Sequence, residues 1–224
     1  IKALILLVCV LGVSGCANTP IAPLPAQLLW HDKQFNYHAS AVTVTKQDLF
    51  ALDTDLLAAL RQSRAEKSTN QARVDQLISL LYRTKNTAAL TEFPYEAGHS
   101  TVAAETWRRR RGDCLSLVVL SYSMAKALDL VVSMQQVRVP YSFDRHGGID
   151  YVASHVNLRI TNGRRAQFGE PNAERDITID FQPQIGSWRD GWSLTEDAIL
   201  ARFYNNVAAE YLAKGQLNPA YAHF

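Results

Sequence analysis

The feature that most constrains the fold of this chain is a long apolar segment that begins near Cys114. Its apolar residues recur at helical spacing and occupy most of the circumference of the helix they predict: Leu117, Val118, Leu120, Tyr122, Met124, Ala125 and Leu128. A helix that is apolar on nearly all sides is buried on nearly all sides. The sequence therefore predicts one central helix with the remaining elements packed around it.

The segments on either side of this helix differ in the spacing of their apolar residues. Three upstream segments have helical spacing: 45–60, Asn70–Tyr82 and Ser100–Arg110. Four downstream segments predict strands separated by turn signals: Val131–Val139, Tyr151–Ile160, Ala166–Phe168 and Ile177–Phe181. Helices followed by an antiparallel meander indicate an α+β fold, and the length of 224 residues allows one sizeable core.

The first residues resemble the signal peptide of a bacterial lipoprotein. Lys2 precedes a short apolar run, and the stretch Leu11–Cys16 resembles a lipobox. The run is too short for a membrane-spanning helix, which needs about 20 residues. We therefore expect residues 1–15 to be a signal peptide, Cys16 to be acylated, and the proline-rich residues 16–39 to form a lipidated tether. An ordinary secretory signal or a buried helix is the alternative.

The residue that follows Cys16 bears on where the protein is anchored. It is Ala17 rather than aspartate, which favours the outer membrane by resemblance to lipoproteins of Gram-negative bacteria. We therefore expect a lipid anchor in that membrane, a periplasmic location, and envelope proteins or peptides as substrates. The chain begins with Ile1 rather than methionine, so we expect further residues before it.

Cys114 is the one thiol expected to stay free in the mature chain. Of the three cysteines, Cys9 would leave with the signal peptide and Cys16 would carry lipid. Cys114 follows Gly112, which lets the chain turn sharply into a helix whose N–H groups and dipole stabilise a thiolate. Asp113 would repel that thiolate, so we expect its carboxylate to face away. The alternative is a buried cysteine that only packs.

Two residues on the predicted strands have the chemistry to assist the thiol. Alternation along Tyr151–Ile160 places His155 and Asn157 on the polar face, and Asp180 takes the polar face of Ile177–Phe181. If the two strands are neighbours, Asp180 can orient the ring of His155 while His155 takes the thiol proton. A surface histidine and a solvated aspartate are the alternative. A zinc site from the same residues lacks the closely spaced ligand pair that is typical of zinc.

The order of these residues resembles the transglutaminase-like (papain-like) superfamily. The stretch Ala104–Ser116 is similar to the segment that presents the superfamily's nucleophile at the head of its central helix. Ser154–Asn157 and Ile179–Phe181 are similar to its two later motifs. The resemblance covers roughly residues 40–220 and, more narrowly, points to bacterial lipoproteins that join such a domain to tetratricopeptide repeats. It implies a papain-like core and a catalytic triad: Cys114, His155 and Asp180.

The resemblance implies a thiol-dependent acyl-transfer enzyme of the bacterial envelope. We expect hydrolysis of peptide or amide bonds rather than crosslinking, because bacterial members often resemble hydrolases and no segment suggests a glutamine-specific pocket. No cofactor is expected, and no residue is assigned to the side-chain half of an oxyanion hole. A catalytically silent, lipid-anchored module that binds or assembles proteins is the alternative.

Charge argues against nucleic acid as a partner. The formal net charge is only +2, and the chain contains no nucleic-acid-binding motif. The basic run Arg108–Arg111 is short, so a solvated helix face or a small phosphate-contacting patch accounts for it.

The predicted transglutaminase-like domain spans residues 40–193, and residues 194–224 predict a helical hairpin. Tyr204, Tyr211 and Gly215 resemble positions in the first helix and turn of a tetratricopeptide repeat. Because isolated repeats of this type are rarely stable, we expect further repeats to follow rather than the hairpin to pack on the domain. In either arrangement the helical C-terminus is a candidate surface for a protein partner.

Overall fold

A computed structural model describes these parts of the chain: residues 30–82, 93–146, 149–161, 176–181 and 191–224. Residues 35–224 belong to one compact unit, and residues 1–34 belong to another, of which 30–34 are described. The predicted signal peptide, the lipidation site Cys16 and the predicted strand 166–168 lie outside the described residues.

Helices come first in the larger unit, strands follow, and a pair of helices ends it. The described helices are α1 (Lys46–Phe50), α2 (Thr54–Glu66), α3 (Asn70–Tyr82), α4 (Ala103–Arg109), α5 (Cys114–Ala127), α6 (Glu196–Ala213) and α7 (Leu217–His223). The described strands are β1 (Val132–His146), β2 (Ile149–Ile160), β3 (Ile177–Ile179) and β4 (Gly191–Leu194). The prediction of an α+β fold is confirmed.

The apolar helix α5 lies at the centre of the core. Leu117, Leu120 and Met124 are fully buried in it, and α5 contacts α1, α2, α3, α4, α6, β1 and β2. Burial of an apolar surface is the main favourable contribution to folding, so a helix apolar on most sides takes the position with most neighbours. The prediction of a central helix is confirmed.

The described strands form one antiparallel sheet with the order β3-β2-β1-β4. In β2, His155 lies opposite Val137 of β1, and Leu158 lies opposite Ile179 of β3. Alternation puts Leu158 into the core, as predicted, but His155 and Asn157 on the other face are buried as well. The alternative of a surface histidine is therefore wrong, because both faces of this part of β2 are covered.

The helical segment predicted over 45–60 is two helices rather than one. Thr45 caps α1 in a capping box with Asp48, as the sequence indicates. The helix then ends at Phe50, and Asp53 begins α2 by accepting a hydrogen bond from the backbone N–H of Asp55 at 3.2 Å. An aspartate that caps a new helix thus interrupts a run of leucines that has continuous helical spacing.

The C-terminal hairpin packs on the rest of the unit, so the expectation that it would not pack on the domain is wrong. Further repeats after the hairpin stay a prediction. Ile199 and Phe203 of α6 belong to the same buried cluster as α5. Before α6, the strand β4 adds to the edge of β1 and was not predicted. A Cβ on Gly191 would lie 2.2 Å from the carbonyl oxygen of Gln136, so only glycine allows this pairing. The predicted boundary between residues 193 and 194 stays a prediction.

Truncation of Leu120 tests the central position of α5. Leu120→Ala should lower the free energy of unfolding by about 2–5 kcal/mol, because it leaves a cavity in a site with no exposed surface. Lys126→Ala, an exposed position on the same helix, should change it by at most about 1 kcal/mol. Urea denaturation followed by circular dichroism measures both values. Equal losses in the two variants would contradict the central position.

Candidate active site

Cys114 is the first residue of α5, and Asp113 caps that helix. Asp113 Oδ1 accepts one hydrogen bond from the backbone N–H of Ser116 at 2.7 Å and another from its hydroxyl at 2.6 Å. An aspartate suits this position because it satisfies N–H groups of the first turn and its charge complements the helix dipole. These contacts fix where α5 begins and therefore where Cys114 lies.

Gly112 approaches this helix through a space that admits no side chain. A Cβ there would lie 2.9 Å from Ser116 Cβ and 3.3 Å from Thr106 Cγ2. The backbone N–H of Glu96 also donates to the carbonyl of Gly112 at 2.9 Å. The sequence suggested a sharp turn as the reason for glycine; the structure gives close packing against α4 and α5 as the reason.

The surroundings of the Cys114 thiol favour its protonated form. Burial raises the pKa of Cys114 to about 12, and the negative charge of Asp113 contributes to the rise. The backbone N–H groups of Val156 and Leu115 oppose it, because they hydrogen-bond the thiolate. The carboxylate of Asp113 is buried and bonded to Ser116 and Ser100, and its negative charge contributes to the raised pKa of Cys114. The expectation that it faces away from the thiol stays a prediction.

His155 is held by a carboxylate. Its Nε2 lies 2.7 Å from Asp180 Oδ1, and the side chain of His155 is buried. The amide of Asn157 donates to Asp180 Oδ2 at 3.4 Å, so both oxygens of Asp180 are engaged. The sequence placed Asn157 on the same face as His155 but gave it no role. In the structure Asn157 holds Asp180, which in turn orients the ring of His155.

The three predicted residues meet where β2 passes the start of α5. The backbone N–H of Val156, which lowers the pKa of Cys114, belongs to the residue that directly follows His155, and the negative charge of Asp180 raises that pKa. His155 Nδ1 is buried and has no hydrogen-bond partner among the described residues. The structure thus bonds His155 to Asp180 and places both residues in the neighbourhood of Cys114, but among the described residues no hydrogen bond joins Cys114 to His155. The catalytic roles of the three residues stay predictions.

Tyr95 is a residue of this site that the sequence did not reveal. Its backbone pairs with Gly112, and its side chain is about half exposed. Burial raises the pKa of Tyr95 to about 12, and the negative charges of Cys114 and Asp113 contribute. An ordinary tyrosine hydroxyl is already protonated at neutral pH, and the raised pKa keeps Tyr95 protonated at alkaline pH as well. No sequence pattern reports it, because it lies in an irregular segment far upstream of Cys114.

The basic run near the site has partners within the chain. The guanidinium of Arg110 lies between two rings, 4.2 Å from the centroid of Phe93 and 4.3 Å from that of Trp107. Arg109 forms an ion pair with Glu96 at 2.7 Å. These contacts account for the two central arginines without a phosphate ligand, and only part of the run forms a solvated face.

No protein-family model, no curated protein and no solved structure matches this chain. Among the residues that the structure describes, no group of three or more histidine, cysteine, aspartate or glutamate side chains is arranged to hold a metal ion. Within the same residues, no helix has the length and apolar character needed to cross a membrane.

Removal of the Asp113 charge tests its action on the thiol. Asp113→Asn should lower the pKa of Cys114, so that its alkylation by iodoacetamide at a fixed alkaline pH becomes faster by up to about tenfold, the effect of one pKa unit. Asp53→Asn changes the same residue type at the cap of α2 and serves as the control. Peptide-resolved mass spectrometry measures the rates. An alkylation rate of Cys114 that is the same in Asp113→Asn as in the wild type would rule out this charge effect.

Proposed function

We propose that this protein is a thiol-dependent acyl-transfer enzyme in which Cys114 is the nucleophile, His155 the base and Asp180 the residue that orients the base. The main observation behind this proposal is the hydrogen bonding of the two ring nitrogens of His155. Its Nε2 is bound to Asp180, whereas its Nδ1 is buried and unpartnered among the described residues. The next residue along the chain is Val156, whose N–H favours the thiolate of Cys114. A ring held in this way keeps one nitrogen available for a proton.

The first half of the reaction forms an acyl-enzyme. When the ring donates its Nε2–H to the carboxylate of Asp180, Nδ1 carries the lone pair. The sulphur of Cys114 attacks the carbonyl carbon of an amide, the S–H proton moves to His155 Nδ1, and the carbonyl π electrons move to oxygen. Collapse of this intermediate breaks the C–N bond, and His155 returns the proton to the leaving amine.

The second half releases the acyl group. Water attacks the thioester while His155 takes one of its protons, and the thiol of Cys114 leaves with a proton from His155. An amine in place of water would give transamidation. We favour hydrolysis of peptide or amide bonds, as the resemblance to bacterial members of the transglutaminase-like superfamily implies, together with a papain-like core.

The raised pKa of Cys114 bears on how the thiol is activated. A thiol with a pKa of about 12 is protonated at neutral pH unless a base takes its proton. The proton therefore moves to His155 as the sulphur attacks, rather than beforehand in a resting ion pair. This makes the reactivity of Cys114 strongly dependent on His155.

A second candidate function is a catalytically silent module that binds or assembles envelope proteins. The observation that favours it is the burial of the Cys114 thiol, which, together with the negative charge of Asp113, disfavours the thiolate. In that case the site would keep its geometry without turnover. The helical hairpin α6–α7 would then be the candidate surface for a protein partner.

Alkylation at neutral pH, where an ordinary histidine is largely uncharged and can act as a base, separates the two functions. Wild-type Cys114 should react readily with iodoacetamide. His155→Ala should react at least about 100-fold more slowly, because the base that takes the proton is gone. His38→Ala, an exposed histidine outside the site, should match the wild type. Peptide-resolved mass spectrometry again gives the rates for Cys114. Equal, slow reaction in all three proteins would refute the enzyme and favour the silent module.

We further propose that Cys16 is acylated and that the protein faces the periplasm from the outer membrane, as its resemblance to lipoprotein signal sequences implies. Cys16→Ser should leave an unprocessed precursor and abolish fatty-acid labelling, because the modified sulphur is absent. Metabolic labelling with a fatty-acid analogue and the shift in electrophoretic mobility measure both effects. Cys114→Ser serves as the matched control and should leave both unchanged. Normal processing and labelling of Cys16→Ser would contradict the anchor.

A further inference from the structure

Three polar residues of α6 point to a role for the C-terminal hairpin in the candidate active site. Arg202, Asn206 and Glu210 recur at every fourth position, so they share one face of the helix. We call them the polar stripe. All three are partly buried, and each one bonds to a residue that supports the site.

Arg202 supports the strand that carries His155. Its Nη2 donates to Gln136 Oε1 at 2.9 Å, and Gln136 Nε2 donates to the carbonyl oxygen of His155 at 3.1 Å. Gln136 is buried on β1 and needs partners for both ends of its amide. Arg202 engages one end, which leaves the other directed at the backbone of His155.

Asn206 supports the start of the helix that carries Cys114. Its Nδ2 donates to Ser100 Oγ at 2.9 Å and contacts Asp113 Oδ2 at 3.5 Å. The hydroxyl of Ser100 in turn donates to Asp113 Oδ2 at 2.5 Å. The oxygen of Asp113 that does not cap α5 is therefore held by Asn206 and Ser100 together.

Glu210 fixes the turn from which Ser100 projects. Its Oε1 accepts the backbone N–H of Ser100 at 2.8 Å, and its Oε2 lies 2.9 Å from His99 Nδ1. The polar stripe thus reaches β1 and β2 with one residue and the start of α5 with the other two. The stripe therefore bonds to two regions of the candidate site that lie far apart in the chain.

We propose that the polar stripe of α6 sets the position of His155 relative to Cys114, with Arg202 and Asn206 as positioning residues for the proposed acyl transfer. The inference rests on the proposed function. It assigns the C-terminal hairpin, which the sequence suggested to be a separate repeat, to the catalytic machinery. A displacement of about 1 Å between reacting groups can reduce a rate about 100-fold, so the stripe can act without touching a substrate.

The test of Arg202 uses the His155-dependent alkylation of Cys114 in the full chain. Arg202→Met should slow this alkylation about 10- to 100-fold at neutral pH, and Arg202→Lys should recover part of the loss because it restores a donor to Gln136. In a His155→Ala background, Arg202→Met should have no further effect, since it acts through His155. Arg108→Met, at an exposed arginine, is the control.

The test of Asn206 uses the alkaline rise of the alkylation rate, which does not require His155. Asn206→Leu removes a donor to Asp113, so the carboxylate repels the thiolate of Cys114 more strongly and the rise should move to higher pH. The same substitution in an Asp113→Asn background should produce no shift. Asn205→Leu, an exposed neighbour on α6, is the matched control. Urea denaturation confirms that each variant is folded.

The outcomes separate this inference from the proposed function. If wild-type alkylation depends on His155 but Arg202→Met and Asn206→Leu behave as their controls do, the polar stripe is structural only and the inference is overturned. If alkylation does not depend on His155, the proposed function and the role of Arg202 both fail. The Asn206→Leu variant then still tests the action of the stripe on Cys114. A shift of the alkaline rise to higher pH supports that action, and no shift overturns it.

Discussion

The carboxylate of Asp113 holds the start of the central helix through hydrogen bonds to both of its oxygens. Ser116 binds one oxygen, and Ser100 and Asn206 bind the other. A buried carboxylate without such donors would be costly, so these groups stabilise the start of the helix. Because Cys114 is the next residue, the contacts that stabilise the helix also position the thiol.

The same carboxylate changes the chemistry expected of a cysteine at a helix start. Such a position favours a thiolate through the helix dipole. Here Asp113 already supplies the negative charge that the helix start favours, and a second negative charge on Cys114 is repelled. The helix therefore positions the nucleophile without ionising it. In the proposed reaction the thiol proton passes to His155, whose ring is held by Asp180, and Asp180 is held by Asn157.

How much of this could be predicted from the sequence depended on the range of each interaction. The central helix follows from local spacing, and the alternation along β2 placed His155 and Asn157 on one face. The burial of Asp113 could not be predicted, because its partner Asn206 lies 93 residues away. Strand β4 has four residues and no periodic signal, and its place in the sheet depends on the fit of Gly191 against β1. The break at Asp53 was hidden by leucines that continue a helical spacing.

The register shift in the β1–β2 pair separates two regions that differ in how many neighbouring strands they pair with. Up to Val137, β1 is paired on both sides, with β2 and β4, and this part adjoins His155. Beyond the shift, β1 and β2 pair with each other alone among the described strands, and the opposed residues Phe143 and Val152 are exposed. A shift of this kind bends the strand and increases its local twist. In evolutionary terms, exposed positions beyond the shift, such as Phe143 and Val152, can be exchanged at little cost to stability.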